Sequence, residues 1–201
     1  MTGGLLAVGA SYLIGGIPFG WILYRAAAGS DIRGVGSGNI GATNVARAGG
    51  WGIGVLTLIL DAAKGAVAVL IGLAATGEPA WAGAAAMAAV AGHCFPAALR
   101  FRGGKGVATG CGAFLFLDPL AMAAAVGAFA GVVAATRMVS AGSIAGAAVF
   151  PLAAWILGEG GAMPLWAALA GALIVLRHRE NIDRILRGEE RRIGARRKEE
   201  A

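Results

Sequence analysis

A chain of 201 residues with 58% hydrophobic residues, 14% charged residues and a mean hydropathy of +0.73 lies outside the range of soluble domains. Its 35 glycines and heavy alanine load suit thin helices whose backbones approach closely inside a bilayer. The net charge of +6 sits at the edges of apolar runs and in a short tail, which fits anionic lipid headgroups and excludes nucleic acid as the expected partner.

A helix must supply about 20 apolar residues to cross roughly 30 Å of hydrocarbon. The runs Leu5–Tyr24, Trp51–Thr76, Ala80–Leu99, Pro119–Thr136 and Val139–Leu157 meet that length, and Val107–Leu117 and Met163–Leu176 are shorter. The first run follows no basic segment and is expected to be retained as a span. Loop charges alternate. Arg25, Arg33 and Arg47 mark the first loop, Arg100, Arg102 and Lys105 the third and Arg137 the fifth, while the intervening loops carry Glu78, Asp118 and Glu159. Residues 177–201 hold nine Lys or Arg against six Asp or Glu. Basic loops stay in the cytoplasm, so the alternation predicts an all-α integral membrane protein: a seven-helix bundle in one domain, amino terminus outside, carboxyl terminus inside.

The first inner loop reads Ser37-Gly-Asn-Ile-Gly-Ala-Thr-Asn-Val-Ala-Arg47. Gly36 to Gly41 fits G-x-G-x-x-G, but no strand precedes it, so a dinucleotide fold is rejected. Glycines let backbone N–H groups converge on an anion, and Ser37, Asn39, Thr43, Asn44 and Arg47 add donors. The plainer alternative is a glycine-rich connector capped by Thr43 and Asn44. Within the second span, Asp61 and Lys64 stand at i, i+3, where an ion pair that shapes the site is favoured over a proton relay. His93, beside Phe95 and Pro96, suggests packing. Cys94 and Cys111 are isolated, with neither disulfide nor metal spacing.

The third inner loop, Phe101-Arg-Gly-Gly-Lys-Gly-Val-Ala-Thr109, sets Lys105 among Gly103, Gly104 and Gly106. A Walker A loop would need glycine at Leu99 and a hydroxyl residue at Gly106, so an anion cradle of another kind is expected. Ser140 and Ser143 open the sixth span, and His178 and Asn181 open the tail. In that tail Ile182, Ile185, Leu186 and Ile193 recur at helical spacing among arginines, as in a helix lying on the membrane face, with a merely solvated end as the alternative. No carboxylate pair accompanies the loops, so neither a metal nor a cofactor is expected.

The segments SGNIGATNVAR, GHCFPAALRFRGGKGVAT, RMVSAGS and HRENIDRILRGEE, in order from Ser37 to Glu190, resemble the motifs of the bacterial acyl-phosphate glycerol-3-phosphate acyltransferase family, PlsY. The resemblance implies seven transmembrane helices in the bacterial inner membrane and a site facing the cytoplasm. It also implies acyl phosphate and glycerol 3-phosphate as substrates, with lysophosphatidic acid and phosphate as products. Family roles fall on Ser37, Arg47, Lys105, Ser143, His178 and Asn181. Catalysis is expected from Ser37, Lys105, His178 and Asn181, and phosphate binding from Gly38, Asn39, Asn44, Arg47, Gly103, Gly104, Gly106 and Ser143. Acyl phosphate is already activated, so direct attack without an acyl-enzyme is expected, with His178 or the substrate's own phosphate as base. A secondary transporter for a phosphorylated solute is the alternative. Transporters bind near the bilayer midplane, whereas these polar clusters lie at the inner ends of spans.

Overall fold

The computed structural model describes residues 1–157 and 161–194, all helix, turn or loop. Among the described residues, five helical stretches are long and apolar enough to cross a membrane: Thr2–Ala28, Trp51–Thr76, Pro79–Leu99, Pro119–Thr136 and Val139–Leu157. The predicted ends of the last two, and of Trp51–Thr76, coincide with the observed ones.

The first stretch is broken into α1 (Thr2–Gly15) and α2 (Phe19–Ala28). Pro18 at the break lacks an N–H and disfavours helical geometry at Ile17, whose carbonyl accepts from Phe19 N at 3.1 Å instead of making a helical bond. Lys64 reaches that carbonyl from the neighbouring helix, Nζ to O 2.8 Å. A short α3 (Ala42–Gly49) turns at Gly50, φ 94°, into α4 (Trp51–Thr76). Next come α5 (Pro79–Cys94), α6 (Val107–Leu115), α7 (Pro119–Thr136), α8 (Val139–Leu157), α9 (Met163–Arg177) and α10 (Arg179–Leu186).

Small residues set the packing. Helix α5 lies at the centre against α1, α4, α6 and α9, with Ala82, Ala85, Ala86 and Ala89 wholly buried. Leu5, Leu13, Leu56, Ile59 and Leu70 face outward, as expected where lipid is the solvent. Helices α4 and α6 are in backbone contact: a Cβ on Gly112 would stand 1.9 Å from Ala62 O, and one on Gly65 2.0 Å from Thr109 O.

Two expectations change. The fourth predicted span is a helix of nine residues, about 14 Å long, well short of a crossing on its own. Buried loop residues Gly103, Gly104 and Gly106 lead into it, and irregular backbone at such depth is tolerated only where protein covers it. The tail is more than a surface helix. After α10 the chain turns at Gly188, φ 73°, and runs back to the bundle, where Ile193 N donates to Arg137 O at 2.7 Å. Arg196, Arg197 and Lys198 of the predicted basic tail, and Glu159, lie outside the described residues.

Candidate active site

Three segments meet at one end of the bundle: the loop before α3, the loop before α6, and the junction of α9 with α10. Ser37 and Asn39 from the first, Lys105 from the second, and Arg177, Arg179 and Arg184 from the third line one cleft of ≈ 60 Å³, together with Leu176 and Glu180. The volume suits a phosphate-sized group. Its lining carries four cations against one carboxylate.

The first loop is folded around Asn44, which is buried. Its Nδ2 donates to Val35 O and Asn39 O, both at 2.9 Å, and its Oδ1 accepts from Ser37 N at 3.0 Å. Asn39 Oδ1 accepts from Gly41 N at 2.8 Å, and Gly38, φ 69°, gives its N–H to Val35 O at 3.1 Å. Asn44 therefore clamps the loop and presents Ser37 and Asn39 to the cleft.

The second loop behaves alike. Gly103 N donates to Cys94 O at 3.2 Å and Gly104 N to His93 O at 3.0 Å, while Arg177 Nε donates to Gly104 O and Nη2 to Gly103 O, each at 3.1 Å. A Cβ on Gly103 would stand 2.2 Å from His93 O, and one on Gly104 2.0 Å from His93 Nε2. These two glycines supply close approach. The amides of Gly38, Gly103 and Gly104, expected to contribute to an anion cradle, donate here to Val35 O, Cys94 O and His93 O. Gly106, φ 83°, caps the start of α6, and neither its N–H nor that of Lys105 is hydrogen-bonded among the described residues.

Lys105 Nζ donates to Asn181 Oδ1. Asn181 Nδ2 then donates to Glu190 Oε1 at 2.7 Å, Ser140 Oγ to the same oxygen at 2.6 Å, and Arg184 Nε to Glu190 Oε2 at 2.7 Å. Burial opposes the Glu190 charge, but Ser140, Asn181 and Arg184 together hold its carboxyl below the ordinary range. Glu190 is a hub that the spacing of the sequence did not reveal. An acid among many bases in a tail reads as solvated surface.

Burial, offset in part by Glu190, pushes Lys105 down to about 8. His178 is 2% exposed, and burial pushes it down to about 4, so the ring is neutral near pH 7. Its Nδ1 lies 2.8 Å from Ile174 O and must donate there, which leaves Nε2 as an acceptor. Arg47 is pressed first by burial and then by Arg191, with Glu190 in support, which groups it with the tail. Arg191 Nη2 also approaches Gly36 O at 3.4 Å.

Ser143 is buried one turn further along α8 than Ser140, and its hydroxyl donates to Val139 O at 2.9 Å within its own helix. Ser140 makes the link to the cluster instead. The Asp61–Lys64 ion pair is present, Nζ to Oδ1 2.8 Å, and His93 joins it, Nζ to Nδ1 3.0 Å. No group of three or more His, Cys, Asp or Glu is placed to hold a metal among the described residues.

The family described as glycerol-3-phosphate acyltransferase matches residues 5–188. A protein of that name from Anaeromyxobacter sp. (strain Fw109-5) is 51% identical, the match covering 94% of this chain and 96% of the relative. Its namesake from Syntrophotalea carbinolica is 48% identical, covering 97% and 100%. The crystal structure of PlsY (YgiH), an integral membrane glycerol 3-phosphate acyltransferase, is similar in its glycerol 3-phosphate form with a TM-score of 0.90 and 38% identity, over 95% of this chain and 96% of that one. Its lysophosphatidic acid form gives 0.85 and 37%, over 95% of each. With sequence and fold alike along nearly its whole length, the chain belongs to the glycerol-3-phosphate acyltransferase family and is an integral membrane enzyme of the PlsY type.

Proposed function

We propose that this chain moves a fatty acyl group from acyl phosphate to the 1-hydroxyl of glycerol 3-phosphate, giving lysophosphatidic acid and inorganic phosphate for phospholipid synthesis at the cytoplasmic face of the bacterial inner membrane. The observation that carries the proposal is the convergence of Ser37, Lys105 and Arg179 from three distant segments on one cationic cleft, with Asn181 holding Lys105 from behind the lining. Both substrates bear phosphate. The PlsY structures in glycerol 3-phosphate and lysophosphatidic acid forms support the acceptor and the product.

In the proposed reaction the glycerol hydroxyl oxygen attacks the acyl carbonyl carbon, the bond from that carbon to the phosphate oxygen breaks, and phosphate leaves. Lys105, with the neighbouring amides of Lys105 and Gly106, offsets the charge growing on the departing phosphate. Ser37, Asn39 and the arginines of the cleft hold phosphate, and Arg47 adds positive charge beside the tail. The hydroxyl proton passes to a substrate phosphate oxygen. His178, held at about 4, is a weaker base than a phosphate monoester, whose second ionisation lies near 6. His178 Nε2 orients the hydroxyl by accepting its hydrogen bond. Positioning then supplies much of the rate.

In the membrane we propose seven crossings with the amino terminus outside and the carboxyl terminus inside: the five long stretches, α9, and a fourth crossing built on α6, with the buried loop 103–106 at its cytoplasmic entrance. The alternation of Lys and Arg between loops favours this orientation.

The test is to give the purified full chain glycerol 3-phosphate with either acyl phosphate or acyl-coenzyme A and follow lysophosphatidic acid. Product from acyl phosphate alone is expected. Product only from the thioester would overturn the donor, and no product from either, alongside glycerol 3-phosphate uptake into sealed proteoliposomes, would favour a transporter.

A further inference from the structure

The buried cluster on the far side of the Lys105 loop has no part in the chemistry above. Asp61, Lys64 and His93 are 1%, 3% and 4% exposed, at the meeting of α4, α5 and the break between α1 and α2. Lys64 Nζ touches three acceptors: Ile17 O at 2.8 Å, Asp61 Oδ1 at 2.8 Å and His93 Nδ1 at 3.0 Å. An ammonium donates only, so His93 Nδ1 accepts and Nε2 carries the ring hydrogen. The tautomer and the ring plane are both fixed by a charged pair that cannot leave its site cheaply.

That fixed ring abuts the catalytic loop. His93 Nε2 occupies the space a Gly104 side chain would take, 2.0 Å from an ideal Cβ, while His93 O accepts from Gly104 N at 3.0 Å. Arg177 in turn binds the carbonyls of Gly103 and Gly104. The dipeptide just before Lys105 is thus held by contacts with both an imidazole edge and a guanidinium.

We propose that His93, locked by Lys64 and Asp61, is a positioning residue for Lys105: its Nε2 edge is the wall that sets Gly104, and hence the reach of Lys105 to Asn181. This rests on the reading of Lys105 as the group that stabilises the departing phosphate. The intramembrane ion pair then acts on turnover through geometry, with no proton passing along it.

Two substitutions separate the halves of the ring. His93→Asn keeps an acceptor near Nδ1 for Lys64 and loses the Nε2 edge; His93→Gln keeps a group near Nε2 and loses the acceptor. A purely structural histidine would make Asn the better replacement. A wall for Gly104 makes Gln the better one. Phosphate release by the purified full chain is measured for the wild type, H93N, H93Q, K105A and the double variant H93N/K105A, with thermal midpoints in detergent. H93N is expected to fold and lose roughly tenfold to a hundredfold in kcat with KM for glycerol 3-phosphate within about twofold. H93Q should recover most of the rate. The double variant should be no slower than K105A, because a residue that acts only through Lys105 has nothing left to act on.

Wild-type turnover in H93N overturns the inference, as does H93Q slower than H93N, or a double variant slowed by the product of the single effects. K105A at the wild-type rate overturns the role of Lys105 itself, a separate result. Should H93N fail to fold, Gly104→Ala, whose methyl meets Nε2 while every buried polar group is kept, replaces it in the same cycle. It is expected to lose kcat in the same range, and a wild-type rate overturns the inference.

Discussion

Lys105 and Asn181 lie 76 positions apart and are joined directly, Nζ to Oδ1. The contact ties the loop entering α6 to the first turn of α10, and Asn181 passes it on to Glu190. Charge stabilisation by Lys105 should therefore be the larger effect and alignment by Asn181 the smaller. Lys105→Ala is expected to lower kcat by about 10²–10³-fold, the range for loss of one preorganised charge-stabilising donor. Asn181→Ala should cost roughly tenfold, since the ammonium remains but is no longer held. Steady-state phosphate release checks both, and equal losses would mean that Asn181 touches substrate.

Glu190 binds Ser140, Asn181 and Arg184 at once, and so fastens the returning tail to α8 and α10. Glu190→Gln keeps the shape, removes the charge facing Arg184 and turns one acceptor into a donor. A fall in thermal midpoint together with a loss of kcat is expected, since the same carboxylate orients Asn181. Its pH signature follows from direction. The folded state holds Glu190 below its ordinary 4.5, so this stabilisation is present above 4.5 and lost as pH falls through the lowered value. His178 acts in an earlier window: its folded value of about 4 lies below the ordinary 6.5, so native stability declines from 6.5 downward as the unfolded chain takes up the proton first. Midpoints measured against pH should fall in both windows in the wild type, and the lower fall should be weaker in Glu190→Gln.

The apolar spans were legible because hydropathy and length alone decide them; α4, α7 and α8 begin and end where composition changes. The broken first span was harder. Pro18 allows a break, but the partner that takes up the Ile17 carbonyl there, Lys64, lies 47 positions away. Likewise Asp61 and Lys64 could be paired from their spacing on one helix, but His93 comes from another helix and its company with Phe95 and Pro96 suggested plain packing. The site loops were legible as glycine-rich and polar. Which of their atoms remain available was not, because Asn44 and Arg177 consume backbone groups through contacts that no periodicity reports.

Lys105 at about 8 and a phosphate near 6 set a pH window for turnover. Above about 8 the free enzyme loses the ammonium, so kcat/KM should decline there. Bound phosphate favours the charged lysine, so the corresponding decline in kcat should fall at higher pH. On the acid side a substrate phosphate acting as base predicts a limb near 6 that survives in His178→Asn. A limb near 4 that vanishes in that variant would make His178 the base instead.

The α4–α6 contact separates fold from chemistry. A methyl on Gly112 would lie 1.9 Å from Ala62 O, and neither backbone can retreat without moving a packed helix. Overpacking of this kind costs about 1–3 kcal/mol, so Gly112→Ala should lower the thermal midpoint clearly. Helix α6 starts at Val107, capped by Gly106 beside Lys105, so a shift of α6 should also reduce kcat. On α7, Gly127 meets nothing within 4 Å of an added Cβ, and Gly127→Ala should hold or slightly raise the midpoint, since alanine loses less backbone freedom than glycine on folding. Midpoints and turnover measured on both variants test the pair: similar midpoints would mean that α4 and α6 are not in the backbone contact that carries the Lys105 loop.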